Sequence, residues 1–148
     1  MYLLLLVIHV LLSAAWLGAM VYSLGVLHPR AKRYFAGRDD EFEGLIATLA
    51  QGARWKVLGL VAAIGATGLG LLVTAPRPVD GLLLAKVAAY TLAVGVFGYA
   101  SWWLWPRRIF AVGDEVRWHQ RRFRVVATVL VALVAVATAL AAVRAHGG

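Results

Sequence analysis

The chain has 148 residues, of which 62% are apolar, and its mean hydropathy is +0.79. Because soluble domains are closer to half apolar, this composition excludes a soluble globular enzyme and indicates an integral membrane protein. The formal net charge is +8, but the basic residues lie between apolar runs, as in a membrane protein, which argues against nucleic-acid binding. The absence of cysteine excludes a disulfide framework, a thiolate metal site and thiol redox chemistry.

Four apolar runs are each long enough to cross the membrane as an α-helix. At 1.5 Å per residue, about 20 apolar residues cross a hydrocarbon core of about 30 Å. Little chain remains outside these runs, so we predict an all-α fold with one domain over residues 1–148, a four-helix transmembrane bundle. The predicted spans are Tyr2–Leu27, Val57–Ala75, Gly81–Trp105 and Val125–Val143.

Local signals predict where the helices begin and end. His28-Pro29 is predicted to end the first helix, because proline disfavours helical geometry in the residue before it. Acidic residues at 39–43 precede Leu45 and predict a short amphipathic cytoplasmic helix from about Asp40, which can run on into the second span. Tryptophans at the ends of the second and third spans are expected to lie at the membrane interface as an aromatic belt. They are Trp55, Trp102, Trp103 and Trp105.

The distribution of lysine and arginine predicts the orientation of the chain. The segments Arg30–Lys56 and Arg107–Arg124 carry six basic residues each, whereas the Ala75–Asp80 loop and the C-terminal tail carry one each, Arg77 and Arg144. Because cytoplasmic loops are enriched in lysine and arginine, we expect both basic loops on the cytoplasmic side and both termini outside. The membrane is expected to be the cell (inner) membrane. The first apolar run is too long for a cleavable signal peptide, so it is expected to remain as a membrane anchor.

His9 and Lys86 are ionisable residues inside apolar runs. Such a side chain is costly in hydrocarbon, so it normally faces the interior of a bundle and marks a functional site. On a helical wheel His9 shares one face with Ser13 and Met20, and Lys86 lies one turn before Tyr90. This pattern predicts that these faces turn inward, although Met20 is also explained by core packing.

Depth in the membrane brings these residues into one region. His9 lies about seven residues, or roughly 10 Å, from the outer end of its span. Thr67 and Thr138 lie at a similar depth in the second and fourth spans, and Lys86 and Tyr90 bracket that depth in the third. We therefore predict one polar pocket in the outer half of the bilayer. The alternatives are that His9 only hydrogen-bonds a neighbouring helix and that Lys86 extends to the interface.

Small residues form a stripe on each of two spans. In lipid, small side chains let helix backbones approach closely, so we predict that these stripes are packing seams. A homo-oligomer contact, or a contact with another membrane protein, is the alternative for one of them. The stripes are Gly59, Ala63, Thr67, Gly70 and Thr74 on the second span, and Ala88, Thr91, Gly95 and Gly98 on the third.

Several segments carry a resemblance to a known family. The first helix, from His9 to Gly18 (HVLLSAAWLG), resembles the first helix of the membrane domain of the copper-resistance D (CopD) family. The same layout, with His9 and Trp16 at this spacing and Lys86 opening the third helix, also resembles the HemJ type of protoporphyrinogen oxidase. The further segments that resemble the CopD family are Arg54–Leu72 with Thr67-Gly68, Gly81–Lys86, Trp105–Arg108 and Arg121–Arg124.

The two resemblances imply different cofactors or cargo. The CopD resemblance implies copper transport or tolerance, with His9 and Met20 as metal ligands, although copper(I) prefers soft thiolate and thioether ligands and only two methionines are present. The HemJ resemblance implies a haem b oxidoreductase in which His9 ligates the iron and Lys86 and Tyr90 contact the cofactor. A non-catalytic helper subunit of a membrane complex is the third hypothesis, so whether the protein is an enzyme stays open.

Overall fold

Four long helices make up the described part of the chain. The computed structural model describes residues 1–74, 79–109 and 114–146, with side chains for 1–74, 79–107 and 118–143. Within these residues the fold is all-α, and all four helices are long and apolar enough to cross a membrane, which confirms the predicted class and a multi-pass membrane protein. The segment of Arg77 and the side chain of Arg144 lie outside the described residues. The helices are α1 (Tyr2–Tyr34), α2 (Asp39–Thr74), α3 (Gly81–Arg107) and α4 (Asp114–His146).

The helices pack as two hairpins. α1 packs against α2, α3 packs against α4, and α1 also contacts α4. One apolar cluster fills the middle of the bundle and a second lies where α2 begins, at the end that carries most basic residues and that we call the basic end. The first contains Trp16, Val61, Ile64, Ala93, Leu130 and Val134, and the second Ala31, Phe42, Ile46 and Trp105.

Both α1 and α3 pass through a proline near the basic end. A π-helical turn at Ser23–Leu27 precedes Pro29, and another at Ala100–Leu104 precedes Pro106; each helix then continues. The prediction that His28-Pro29 ends the first helix is therefore wrong. Proline supplies no N–H and its ring clashes with the carbonyl four residues earlier, and the wider π turn accommodates both effects without ending the helix.

The two hairpins repeat one local pattern. An offset of 77 residues carries the π turn and the proline of α1 onto those of α3. It also carries Trp16 onto Ala93, which are both in the core, and Glu43 onto Gln120. The Gln120 Nε2 atom donates to Glu43 Oε1 at 2.7 Å, so equivalent positions of the two hairpins contact each other. The bundle is thus built from two related helical hairpins.

α2 begins at the acidic cluster and runs unbroken into the membrane segment. It has 36 residues, with Asp39, Asp40 and Glu41 in its first turn, where carboxylates favour the positive end of the helix dipole. The amphipathic helix predicted from about Asp40 is therefore the first part of α2 and not a separate element. Its inward residues, Phe42 and Ile46, are buried in the cluster at the basic end.

The predicted aromatic belt needs one correction. Trp55, Trp102 and Trp103 are exposed, as expected at a membrane interface, but Trp105 is only 5% exposed. Its ring packs against Phe123 of α4, with the centroids 5.5 Å apart. The π turn adds a residue to α3 and so rotates the positions after it by about 100°. That rotation turns Trp105 into the core.

The small-residue stripe of α3 is not a packing seam within the bundle, so that prediction is also wrong. Ala88, Thr91 and Gly95 are exposed, whereas Ala89 and Ala93 are buried. α3 has small and apolar residues on all of its faces, so its sequence carries little information about which face turns inward.

Candidate functional site

His9 is the buried polar side chain of the described core. It is 8% exposed and lies between α1 and α2, where its Nδ1 atom is 2.9 Å from Oγ1 of Thr67. One turn further along α1, the hydroxyl of Ser13 donates to the His9 carbonyl at 2.8 Å. Thr67, which the depth comparison assigned to the same pocket, is therefore the hydrogen-bond partner of His9. A fixed partner on another helix restrains the orientation of the imidazole ring.

The hydrogen bonds of Thr67 favour one tautomer of the His9 ring. Its hydroxyl lies 2.8 Å from the carbonyl of Ala63 and 3.1 Å from that of Ile64. A hydroxyl has one proton, and when one of these carbonyls accepts it, Thr67 Oγ1 accepts from the Nδ1–H of His9. In that tautomer the lone pair is on Nε2, which can bind a metal.

Two glycines of α2 make room for the side chains of its neighbours. A Cβ atom at Gly68 would lie 3.3 Å from Cε1 of His9, and one at Gly65 would lie 3.0 Å from the hydroxyl of Tyr90. That hydroxyl donates to the Val61 carbonyl at 2.8 Å and so links α3 to α2. α2 thus has adjacent notches that hold His9 of α1 and Tyr90 of α3.

Lys86 of α3 completes the group. It is half-buried and lies close enough to the His9 ring for the two to interact electrostatically. The offset of 77 residues that relates the hairpins carries His9 onto Lys86 and Ser13 onto Tyr90. His9 and Lys86 therefore occupy equivalent positions of the two hairpins. Together the arrangement offers one oriented nitrogen ligand with a positive charge nearby.

Met20 of the predicted site lies away from His9, and the Thr138 hydroxyl bonds within its own helix. Met20 follows His9 by eleven residues, about 16 Å along α1, and packs against the core cluster around Trp16. His9 and Met20 therefore cannot ligate the same ion. Thr138 donates its hydroxyl to the Val134 carbonyl of its own helix at 2.8 Å. Among the described residues no group of three or more His, Cys, Asp or Glu side chains could hold a metal ion.

Comparisons with models of known protein families, with curated proteins and with solved structures find no match for this chain. The function is therefore argued from the residues of the site and from the resemblances of short segments. Because the described residues contain no group of three such side chains, a metal at His9 would have at most two His, Cys, Asp or Glu ligands from them.

Sequence reasoning missed the glycine notches and the internal repeat. Gly65 and Gly68 are three residues apart on one helix face, which is a readable signal for close approach of neighbours. The repeat shows in the two short runs His28-Pro29-Arg30 and Trp105-Pro106-Arg107, which are 77 residues apart. Both signals are short, and neither specifies which neighbouring side chain it receives.

Proposed function

We propose that the protein binds a transition metal inside the membrane through Nε2 of His9, and that haem iron is the form that suits the site best. The observation that carries this proposal is the 2.9 Å contact between Nδ1 and Thr67 Oγ1, which orients the ring and, with Nδ1 as donor, leaves Nε2 with the lone pair. Histidines that bind metals are commonly oriented by such a bond from their other nitrogen. Haem iron needs as few as one axial protein ligand, which matches the single histidine here.

The other residues of the site fit an anionic porphyrin. The Lys86 ammonium, which interacts electrostatically with His9, would attract a propionate carboxylate. Thr67 would hold the axial ligand in orientation, and the Tyr90 hydroxyl would keep α3 against α2. Bound haem supplies one-electron redox chemistry, so the proposed class is a haem-binding membrane oxidoreductase, in line with the resemblance to HemJ-type enzymes.

Copper as a transported cargo is the second candidate. The resemblance to the CopD family covers more of the chain, and Met20 lies on the same face of α1 as His9. Because a cargo ion must leave as well as enter, two separate weak ligands about 16 Å apart suit transport better than storage. The buried Trp16 lies between them, however, so the core must open for an ion to pass. Under both candidates we expect the termini outside and His9 in the outer half of the inner membrane.

Absorption spectra and metal analysis of the purified protein test the proposal. If haem binds, the wild type has a Soret band, and His9→Ala removes it. Thr67→Val, which keeps the shape but removes the acceptor, should weaken haem binding by about 10- to 100-fold. Thr74→Val is the matched control, because that hydroxyl is exposed and contacts only carbonyls of its own helix, so binding should not change.

The copper alternative has its own signature. It predicts no Soret band, and a change in cellular copper content or copper sensitivity in both His9→Ala and Met20→Leu, with the protein still present in the membrane. If His9→Ala alters neither haem nor copper in a folded protein, the metal proposal is wrong and a helper subunit replaces it.

A further inference from the structure

A cavity of about 640 Å³ lies at the basic end, away from His9. It is formed by the last turns of α1, the first turns of α2 and the beginning of α4, next to the π turn of α1. The residues that line it on α1 and α2 include Leu24, His28, Lys32, Arg33 and Phe42, and those on α4 include Gln120, Phe123, Arg124 and Thr128.

The charged residues that line this cavity are all positive. Lys32, Arg33 and Arg124 line it, and none of its lining residues is aspartate or glutamate. The amide nitrogen of Gln120 donates to Glu43, which is not among the lining residues. An anion is the ligand that three such cations favour.

The cavity also changes from polar to apolar along its length. On α1 the lining residues Lys32, His28 and Leu24 are four residues apart, so they form one stripe about 12 Å long. On α4, which runs the opposite way, Gln120, Arg124 and Thr128 form the matching stripe. The charged side chains are therefore nearer the end of the bundle, and Leu24 and Thr128 are nearer its middle. The edge of Phe123 adds a further apolar wall.

We propose that this cavity binds one anionic phospholipid from the adjacent leaflet. Its phosphate lies among Lys32, Arg33 and Arg124, and one acyl chain lies against Leu24 and Phe123. Free phosphate would leave the apolar part of the cavity unfilled, and the ammonium group of a zwitterionic lipid would add a fourth positive charge to the three cations. The inference is independent of the metal at His9, because it uses none of the same residues.

Native mass spectrometry of the full-length protein in detergent tests the proposal, with phosphatidylglycerol, phosphatidylcholine or inorganic phosphate added. We expect one phosphatidylglycerol to be retained and the other two not. Because each basic residue near an anionic lipid contributes a factor of about five, the variant Lys32→Gln/Arg33→Gln/Arg124→Gln should bind about 100-fold more weakly. Arg30→Gln/Lys56→Gln/Arg121→Gln removes the same charge from exposed positions outside the cavity and should retain the lipid.

A second variant separates the acyl chain from the charges. Leu24→Trp fills the apolar part of the cavity but keeps all three cations, so it should also lose the lipid. Circular dichroism of each variant confirms that the bundle is folded. The proposal is wrong if the two triple variants lose the lipid equally, if phosphatidylcholine is retained as well as phosphatidylglycerol, or if inorganic phosphate alone binds as tightly.

Discussion

The basic ends of α1 and α3 share a backbone and differ in what surrounds it. Both have a five-residue π turn followed by a proline two residues later. In α3 the Arg54 guanidinium donates at 2.8 Å to the carbonyl of Ser101. A π-type bond to this carbonyl would need the N–H of Pro106, five residues later, which proline lacks. Trp105 beside it is buried. In α1 the equivalent residues, Leu24 and His28, line the basic cavity.

This difference shows how one local structure serves two purposes. In α3 Arg54 of α2 and the buried Trp105 fill the space around the π turn and hold the helix against its neighbours. In α1 the equivalent residue, His28, is half-buried, and its ring makes a T-shaped contact with that of Phe42, with the centroids 5.9 Å apart. The second hairpin therefore stabilises the bundle, whereas the first leaves room for a ligand.

The prediction with the largest expected effect compares Trp105 of α3 with His28, the equivalent residue of α1. Trp105→Ala removes a buried ring and should lower the free energy of unfolding by about 3 kcal/mol. His28→Ala, at the equivalent position of α1, should cost less than about 1 kcal/mol, because the ring already borders a cavity. Unfolding in mixed detergent micelles measures both. Equal losses would show that both regions are structural.

Arg54→Met tests whether the Arg54 guanidinium stabilises the π turn of α3 by donating to its carbonyl at Ser101. The variant keeps an extended side chain but leaves the Ser101 carbonyl without its charged donor and removes the contact with Trp102, 5.7 Å away. We expect a loss of about 2 kcal/mol in the same unfolding measurement. Lys56→Met is the matched control, because Lys56 is exposed on the same helix, and its stability should stay near that of the wild type. Similar losses in the two variants would contradict the role of Arg54.

Gly68→Ala tests the notch that holds His9 in the first hairpin. The new Cβ would lie 3.3 Å from Cε1 of His9, so the ring must shift by a few tenths of an ångström, and we expect this to disturb its bond to Thr67. We expect a cost of about 1 kcal/mol and weaker metal binding. Gly59→Ala, where no side chain lies within 4 Å, should be neutral or slightly stabilising because alanine favours a helix. Thermal unfolding and haem titration of the pair distinguish a specific notch from a general effect of alanine.

The smallest expected effect compares Tyr90 with its equivalent, Ser13. Tyr90→Phe removes a hydrogen bond between helices, which in membrane proteins contributes about 0.6 kcal/mol. Ser13→Ala removes a bond to a carbonyl of its own helix, so its stability should not change measurably. If both substitutions leave stability unchanged, the Tyr90 hydroxyl does not hold α3 against α2.

The sequence by itself determined the four membrane helices and the unusual residues inside them. Hydropathy and length are properties of each segment alone, and the bilayer thickness converts them directly into spans. The same reasoning singled out His9 and Lys86, because an ionisable group in hydrocarbon must turn towards the protein interior. It also matched the depth of Thr67 with that of His9, which the structure joins by a hydrogen bond.

Only the tertiary structure decided which faces pack and where space remains. α3 is apolar and rich in small residues all round, so its buried stripe of Ala89 and Ala93 depends on neighbouring helices and not on its own pattern. Whether a proline ends a helix or sits after a π turn depends on the groups that surround it, here Arg54 for α3. Trp105 is buried and the basic cavity is open for the same reason, since both result from how side chains of separate helices meet.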